Sequence, residues 1–176
     1  MCHILNHKLK SVLIIIRRKR IDRICKIDSL YRGDHRRYKL FKHMLAEIGD
    51  NCLIRSGIIV HFPENISIGN NVSIQENCYM SGYGGITIGN DVSVGNGSKI
   101  VSSEHIYSGG GVIRNQPLIE KPVTIGNNIY IGMGVKILGG AIIHDNTVVA
   151  AGAVVKGEIG PGVFGGVPAK FIKKLE

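Results

Sequence analysis

From Ile48 to Val155 a β-branched or similar residue returns every six positions: Ile48, Ile54, Val60; Ile68, Ile74, Met80; Ile88, Val94, Ile100; and, after a gap, Ile125, Ile131, Ile137, Ile143, Val149, Val155. A helix brings an apolar face back every three or four residues and a strand every two, so neither holds a six-residue interval for long. A flat two-sided sheet fails for the same reason. Only Met80 among these positions is not β-branched, which suits short strands with stiff side chains facing a narrow interior. Four residues after the best-kept positions stands a smaller or compact residue, at Cys52, Val72, Cys78, Val92, Ser98, Val135, Ala141, Thr147 and Ala153. One residue after, Gly recurs at 49, 69, 89, 95, 126 and 132.

This is the hexapeptide form of the β-helix repeat, and it predicts an all-β solenoid of short parallel strands stacked coil on coil. Three hexapeptides make one triangular coil, with one large and one small side chain inward on each face and Gly letting the backbone turn at each corner. Two residues are inserted between 60 and 68, two between 80 and 88, and a long segment at 101–124, each after the third member of a triplet. All insertions therefore leave one edge. About five coils follow, near 48–67, 68–87, 88–124, 125–142 and 143–160. The expected organisation is an N-terminal extension at 1–47, a β-helix at 48–160 with a protruding loop at 105–122, and a tail at 161–176.

Composition agrees with one domain plus appendages: 176 residues, 24 Gly and no Trp suit a Gly-rich solenoid. Charge separates the extension from the rest. Residues 1–47 hold 13 Lys and Arg against 4 Asp and Glu, whereas 48–176 hold 9 of each, so the net +9 is entirely N-terminal. Asp34 is a candidate cap for a helix from His35 to Glu47, with Tyr38, Phe41, Met44, Leu45 and Ile48 lying over the first coil and Gly49 closing it. Ahead of it, Ile4 to Ile27 mixes apolar residues with RRKR at 17–20, and it reads as a basic, partly helical arm.

The cysteines, Cys2, Cys25, Cys52 and Cys78, show no metal spacing, and Cys52 and Cys78 read as buried reduced thiols of a cytoplasmic protein. No signal-peptide pattern is visible, and the run VLIII at 12–16 is too short to span a bilayer. His61 and His144 fall at surface or corner positions without the clustering zinc needs, so no metal is expected. The basic arm carries no nucleic-acid-reading motif, so no nucleic-acid partner is expected.

From Ile48 to Lys173 the chain resembles the hexapeptide-repeat acyltransferases, most closely the maltose/galactoside type and the bacterial O-acetyltransferases that modify surface polysaccharides. The resemblance rests on His105, on RNQPLIEKPVTIGNNIYIG at 114–132, on AAGAVVK at 150–156 and on GGVPAK at 165–170. It implies a left-handed β-helix, a homotrimer, and acetyl-CoA as acyl donor lying in the groove between subunits. It also assigns His105 as the general base that takes the proton from a sugar hydroxyl, a role for which imidazole is suited near neutrality. For the acceptor it points to Asn77, with Tyr83, Glu104, Tyr107 and Arg114 flanking the same edge. For the cofactor it points to the backbone at Met133 and Gly134, the close-approach pair Ala151 and Gly152, and the basic residues Lys156, Lys170 and Lys173.

Three positions depart from the family: Tyr130 stands for Trp, Val167 for Asn, and Lys156-Gly157 for Thr-Lys. The loop lacks a His-Pro step, which favours the polysaccharide-modifying branch. No nucleophilic Ser or Cys stands out, so the expected reaction is direct transfer from acetyl-CoA to a sugar hydroxyl in O-antigen, capsule or exopolysaccharide biosynthesis. N-acetylation of an amino sugar or of an antibiotic remains open on the same scaffold, as does a non-catalytic assembly subunit.

Residues 1–33 pair an apolar run with a basic one, which reads first as a solvated basic arm that packs on the trimer or attracts the polyanionic CoA; peripheral contact with the cytoplasmic membrane face is the competing reading. Co-sedimentation with vesicles separates them. The membrane reading requires pelleting with anionic but not neutral vesicles, and loss of pelleting at high salt or on deletion of 1–33. Full-length protein left in the supernatant with anionic vesicles at low salt excludes it.

Overall fold

The structure, a computed structural model, describes residues 32–108 and 110–176. The basic arm at 1–31, with its VLIII and RRKR runs, lies outside the described residues. Most of the rest is a left-handed parallel β-helix with strands in three sheets. The first sheet stacks Glu47–Ile48, Ile66–Ile68, Ile86–Ile88, Val123–Ile125, Ile142–Ile143 and Glu158–Ile159. The second stacks Leu53–Ile54, Ser73–Ile74, Val92–Val94, Ile129–Ile131, Thr147–Val149 and Gly162–Gly165, and ends on an antiparallel Lys170–Lys173. The third holds Ile59–His61, Tyr79–Ser81, Lys99–Val101, Lys136–Ile137 and Val154–Val155.

The six-residue period is the register of the fold. Ile48, Ile68, Ile88, Ile125 and Ile143 are successive partners in the first sheet. Ile54, Ile74, Val94, Ile131 and Val149 are partners in the second, and Val60, Met80, Ile100, Ile137 and Val155 in the third. All are buried except the half-buried Val60. The residue two places earlier also faces inward, because side chains alternate along a strand. That position holds not only the expected small residues but also Ile58, Ile66, Ile86, Val123 and Ile129, so several faces pack two large side chains. Cys78 is buried, whereas Cys52 is only half-buried.

The glycines serve a different purpose from the one expected. A Cβ at Gly49, Gly69, Gly89, Gly95 or Gly132 would come within 2.6–2.7 Å of backbone atoms in the following coil. They permit coil-on-coil approach; the turning is done two residues later. There Asn51, Asn71, Asp91, Asn128 and Asn146 take left-handed backbone at one corner, and Gly57, Asn77, Gly97, Gly134 and Gly152 at the next. Asn and Asp tolerate that conformation better than other residues with a side chain. Their side chains also form columns: Asn51 donates to Asn71, Asn71 to Asp91, and Asn128 to Asn146.

The N-terminal helix differs from the prediction. Helix α1 runs Arg32–Lys42, so Asp34 lies inside its first turn and is not its cap. Its carboxylate instead accepts hydrogen bonds from Arg37, one turn on, and from Arg55 at 2.8 Å. Gly49 does not close the helix; its N–H donates to the Ile68 carbonyl within the solenoid. Phe41 and Leu45 do cover the first coil, together with fully buried Arg37, whose Nε donates to the Ile54 carbonyl at 2.7 Å. At the other end Ile159 and Phe164 pair with Ile143 and Val149, adding a partial sixth turn after residue 155 where the spacing shortens. Among the described residues no helix is long and apolar enough to cross a membrane.

Asp145 sits where earlier coils place Asn70, Asn90 and Asn127, and its Oδ1 accepts the Asn127 N–H at 2.7 Å. That backbone hydrogen bond, followed by one from the Asn127 side chain, holds its pKa below the usual value. A lowered folded pKa stabilises above the unfolded value, about 3.9, and the contribution is lost as pH falls through the folded pKa. Asp145→Asn keeps the acceptor oxygen but cannot titrate. Thermal unfolding scans below about pH 4 are expected to show a shallower acid decline for this variant than for the wild type.

Candidate active site

The third coil breaks after Val101. Ser103–His105 pairs antiparallel with Leu118–Glu120, forming a hairpin at the corner between the third and first sheets. His105 ends the first strand, opposite Leu118, with its ring exposed. Its Nδ1 lies 3.4 Å from the Gln116 carbonyl. With a proton on Nδ1 directed at that carbonyl, Nε2 carries the lone pair, the arrangement a proton acceptor needs.

The base of the hairpin is tied down. Lys121 donates its N–H to the Ser102 carbonyl and accepts from the Gly140 N–H. Its Nζ lies 2.5 Å from Glu104 Oε2, immediately beside His105 in sequence. The Lys121 hydrogen bond and charge lower the Glu104 pKa, with a smaller effect from Lys156, and Glu104 raises that of Lys121. Tyr83 lies at the same corner one coil earlier, edge-on to Phe62 with ring centroids 5.3 Å apart. Tyr107 and Arg114 are exposed on the loop.

The remaining expected residues lie elsewhere. Asn77, Gly134 and Gly152 occupy one column of left-handed turns between the second and third sheets, with Met133 and Ala151 beside them. Gly134 donates its N–H to Asn96 and Gly152 to Met133, so these two donors are committed to the stack. A Cβ at Gly97, Gly134 or Gly152 would meet nothing within 4 Å. Three successive turns thus offer bare backbone to a ligand. Lys170 and Lys173 lie exposed on the last strand, where Lys173 Nζ is 3.3 Å from Glu176.

The structure therefore gathers Tyr83, Glu104, His105, Tyr107, Arg114 and Lys156 toward one edge, and Asn77, Met133, Gly134, Ala151 and Gly152 along another. In the second coil five residues separate Asn77 from Gly82, so the two edges stand about 15 Å apart at the rise of a strand. The sequence reading missed Gly97 as part of the bare turn, although it follows Val94 at the same offset as Gly134 follows Ile131. Among the described residues, Cys52 and Cys78 have pKa values raised by burial, which disfavours the thiolate nucleophile. Among the described residues no group of three or more His, Cys, Asp or Glu is placed to hold a metal.

The family model described as bacterial transferase hexapeptide (six repeats) matches residues 122–157. Among solved structures, a hexapeptide-repeat acetyltransferase of Vibrio cholerae complexed with acetyl coenzyme A is 26% identical, with a TM-score of 0.81 over 91% of this chain and 86% of its own. A galactoside acetyltransferase in complex with coenzyme A is 28% identical, with a TM-score of 0.82 over 92% and 80%. A maltose O-acetyltransferase from Clostridium difficile is 27% identical, with a TM-score of 0.76 over 90% and 84%.

The Glu104–Lys121 pair fastens the hairpin across the neutral range, because the lowered acid pKa and raised base pKa both widen the window in which the two are charged. Lys121→Met is expected to speed amide exchange at 103–105 and 118–120 by up to about fivefold, the scale of an exposed ion pair, with the third-sheet amides unchanged. In the wild type the same loosening should begin only as the pH falls far enough to protonate Glu104.

Proposed function

We propose that the chain is a hexapeptide-repeat acetyltransferase, as its likeness to that family suggests, and that it transfers an acetyl group from acetyl-CoA to a hydroxyl of a sugar, as a step in surface polysaccharide biosynthesis. The observation that carries this is the coil broken at His105, with the imidazole held clear of the packed wall and its Nδ1 turned toward a carbonyl.

A sugar hydroxyl is a weak nucleophile until its proton is taken as the new bond forms. His105 Nε2 accepts that proton while the acceptor oxygen attacks the acetyl carbonyl carbon. The carbonyl oxygen gains negative charge, for which a backbone donor at the bare turn is suited. With Gly134 N–H committed to Asn96, the N–H of Met133 is the candidate. Collapse of the tetrahedral intermediate breaks the carbon–sulfur bond, and the leaving thiolate takes up the proton that His105 holds. The raised thiol pKa values support direct transfer without an acyl-enzyme.

The turn at Gly97, Gly134 and Gly152 suits the pantetheine arm of the donor, because no side chain is in its way. Lys170 and Lys173, beyond the last full coil, suit the phosphate end. Asn77 stands on the bare-turn edge and His105 on the other, about 15 Å across the third sheet. A site that uses both is completed by a second copy, which supports a homotrimer with the donor between neighbours. A cytoplasmic enzyme with its basic arm at the membrane face is the setting this reading favours.

His105→Ala is expected to lose turnover by about 10²–10⁴-fold, followed as thiol release from acetyl-CoA with a panel of sugars and nucleotide sugars as acceptors, while CoA binding by calorimetry and the assembly state persist. Near-normal turnover in this variant would remove the base assignment.

A further inference from the structure

The outward face of the third sheet carries a feature found on neither other sheet. Its outward positions in register are Ile59, Tyr79, Lys99, Lys136 and Val154. Lys99 and Lys136 are direct partners on neighbouring strands, both exposed. Strands in register stand about 4.8 Å apart, and like charges directly opposite destabilise a sheet. The corresponding outward positions are Ser67, Thr87, Thr124 and Ile142 on the first sheet and Ser73, Ser93, Tyr130 and Val148 on the second. There Ser73 and Ser93 satisfy each other at 2.7 Å. Among the described residues no ion pair includes Lys99 or Lys136, whereas Lys42, Lys121 and Lys173 each meet an acid.

The lysines also sit beside the bare turns. Gly97 lies two residues before Lys99 and Gly134 two before Lys136, and a Cβ at either would meet open space. A backbone shelf without side chains thus borders two exposed lysines that are partners in register. From the geometry we infer that Lys99 and Lys136 form an anion site for the acceptor, selecting a sugar joined to a diphosphate. The inference rests on the acetyl-transfer reading above. The level of the site assigns it to the acceptor. Lys99 is in the same coil as His105, whereas Lys170 pairs with Gly165 three turns further along, about 14 Å at the coil spacing. The two phosphate groups of a diphosphate each take one ammonium, relieving the repulsion that the unliganded stack carries. Tyr79, one coil before Lys99, offers a ring on the same face.

Two sources share this chemistry, a nucleoside-linked and a lipid-linked diphosphate. Uridine diphosphate and farnesyl diphosphate are suitable probes, each titrated into the full-length protein by calorimetry, with CoA as reference. The Lys99→Gln/Lys136→Gln double variant should bind the preferred probe at least about tenfold more weakly, the scale of losing charge-assisted hydrogen bonds. CoA affinity should be unchanged, and the melting temperature not lowered, since the variant removes two like charges. Preference for one probe names the source. The inference fails if neither probe binds the wild type, if the variant binds them as tightly, or if its CoA affinity falls by the same factor, which would give the lysines to the donor. Loss of CoA binding by the wild type itself would instead overturn the acetyl-transfer reading, so the two failures are told apart.

Discussion

Everything in this molecule depends on how closely one coil lies on the next. Parallel strands stack at about 4.8 Å only if nothing but hydrogen stands on Cα where one coil's backbone crosses another's. At Gly49, Gly69, Gly89, Gly95 and Gly132 a methyl group would run into backbone that has nowhere to move. Once that spacing is kept, the β-branched residues fall into columns and every inward side chain packs on its equivalents above and below. The functional geometry is a by-product of the same spacing: corner residues become columns too, so a motif that recurs at one offset becomes a continuous ligand-facing edge.

Much of this could be read from the sequence because a six-residue period survives any disturbance that does not change register. Insertions moved the numbering without moving the columns, and the break at His105 stood out against so regular a background. What escaped the reading did so for identifiable reasons. The inward pair two places before each key residue was hidden where an insertion intervened, as at Ile66 and Ile86. The turn at Ile159 and Phe164 was lost because its intervals shorten. The role of the glycines was misjudged because a turn and a close approach both demand the same residue. Arg37 could not be found at all, since a buried arginine in a basic stretch looks like any other surface charge until Asp34 and the Ile54 carbonyl are seen around it.

The break at His105 was legible in the sequence, but the placing of its neighbours was not. Sequence reading put Asn77 on the same edge as Tyr83, Glu104, Tyr107 and Arg114; the structure sets it on another, with a sheet between. The Lys99 and Lys136 pair shows the opposite case. Thirty-seven positions separate them, and only the register across the hairpin makes them neighbours.

Helix α1 has a further consequence. A parallel β-helix has two open ends, and each presents unpaired N–H and C=O groups of a flat coil, the same surface on which cross-β fibrils lengthen. Here Phe41 and Leu45 lie across the first coil, and Arg37 occupies the Ile54 carbonyl, which would otherwise point out of the end. The opposite end is turned aside by the antiparallel strand Lys170–Lys173. The described part of the chain is in effect a one-dimensional stack of coils that carries its own terminators, so that both surfaces through which it could lengthen into a fibril are covered.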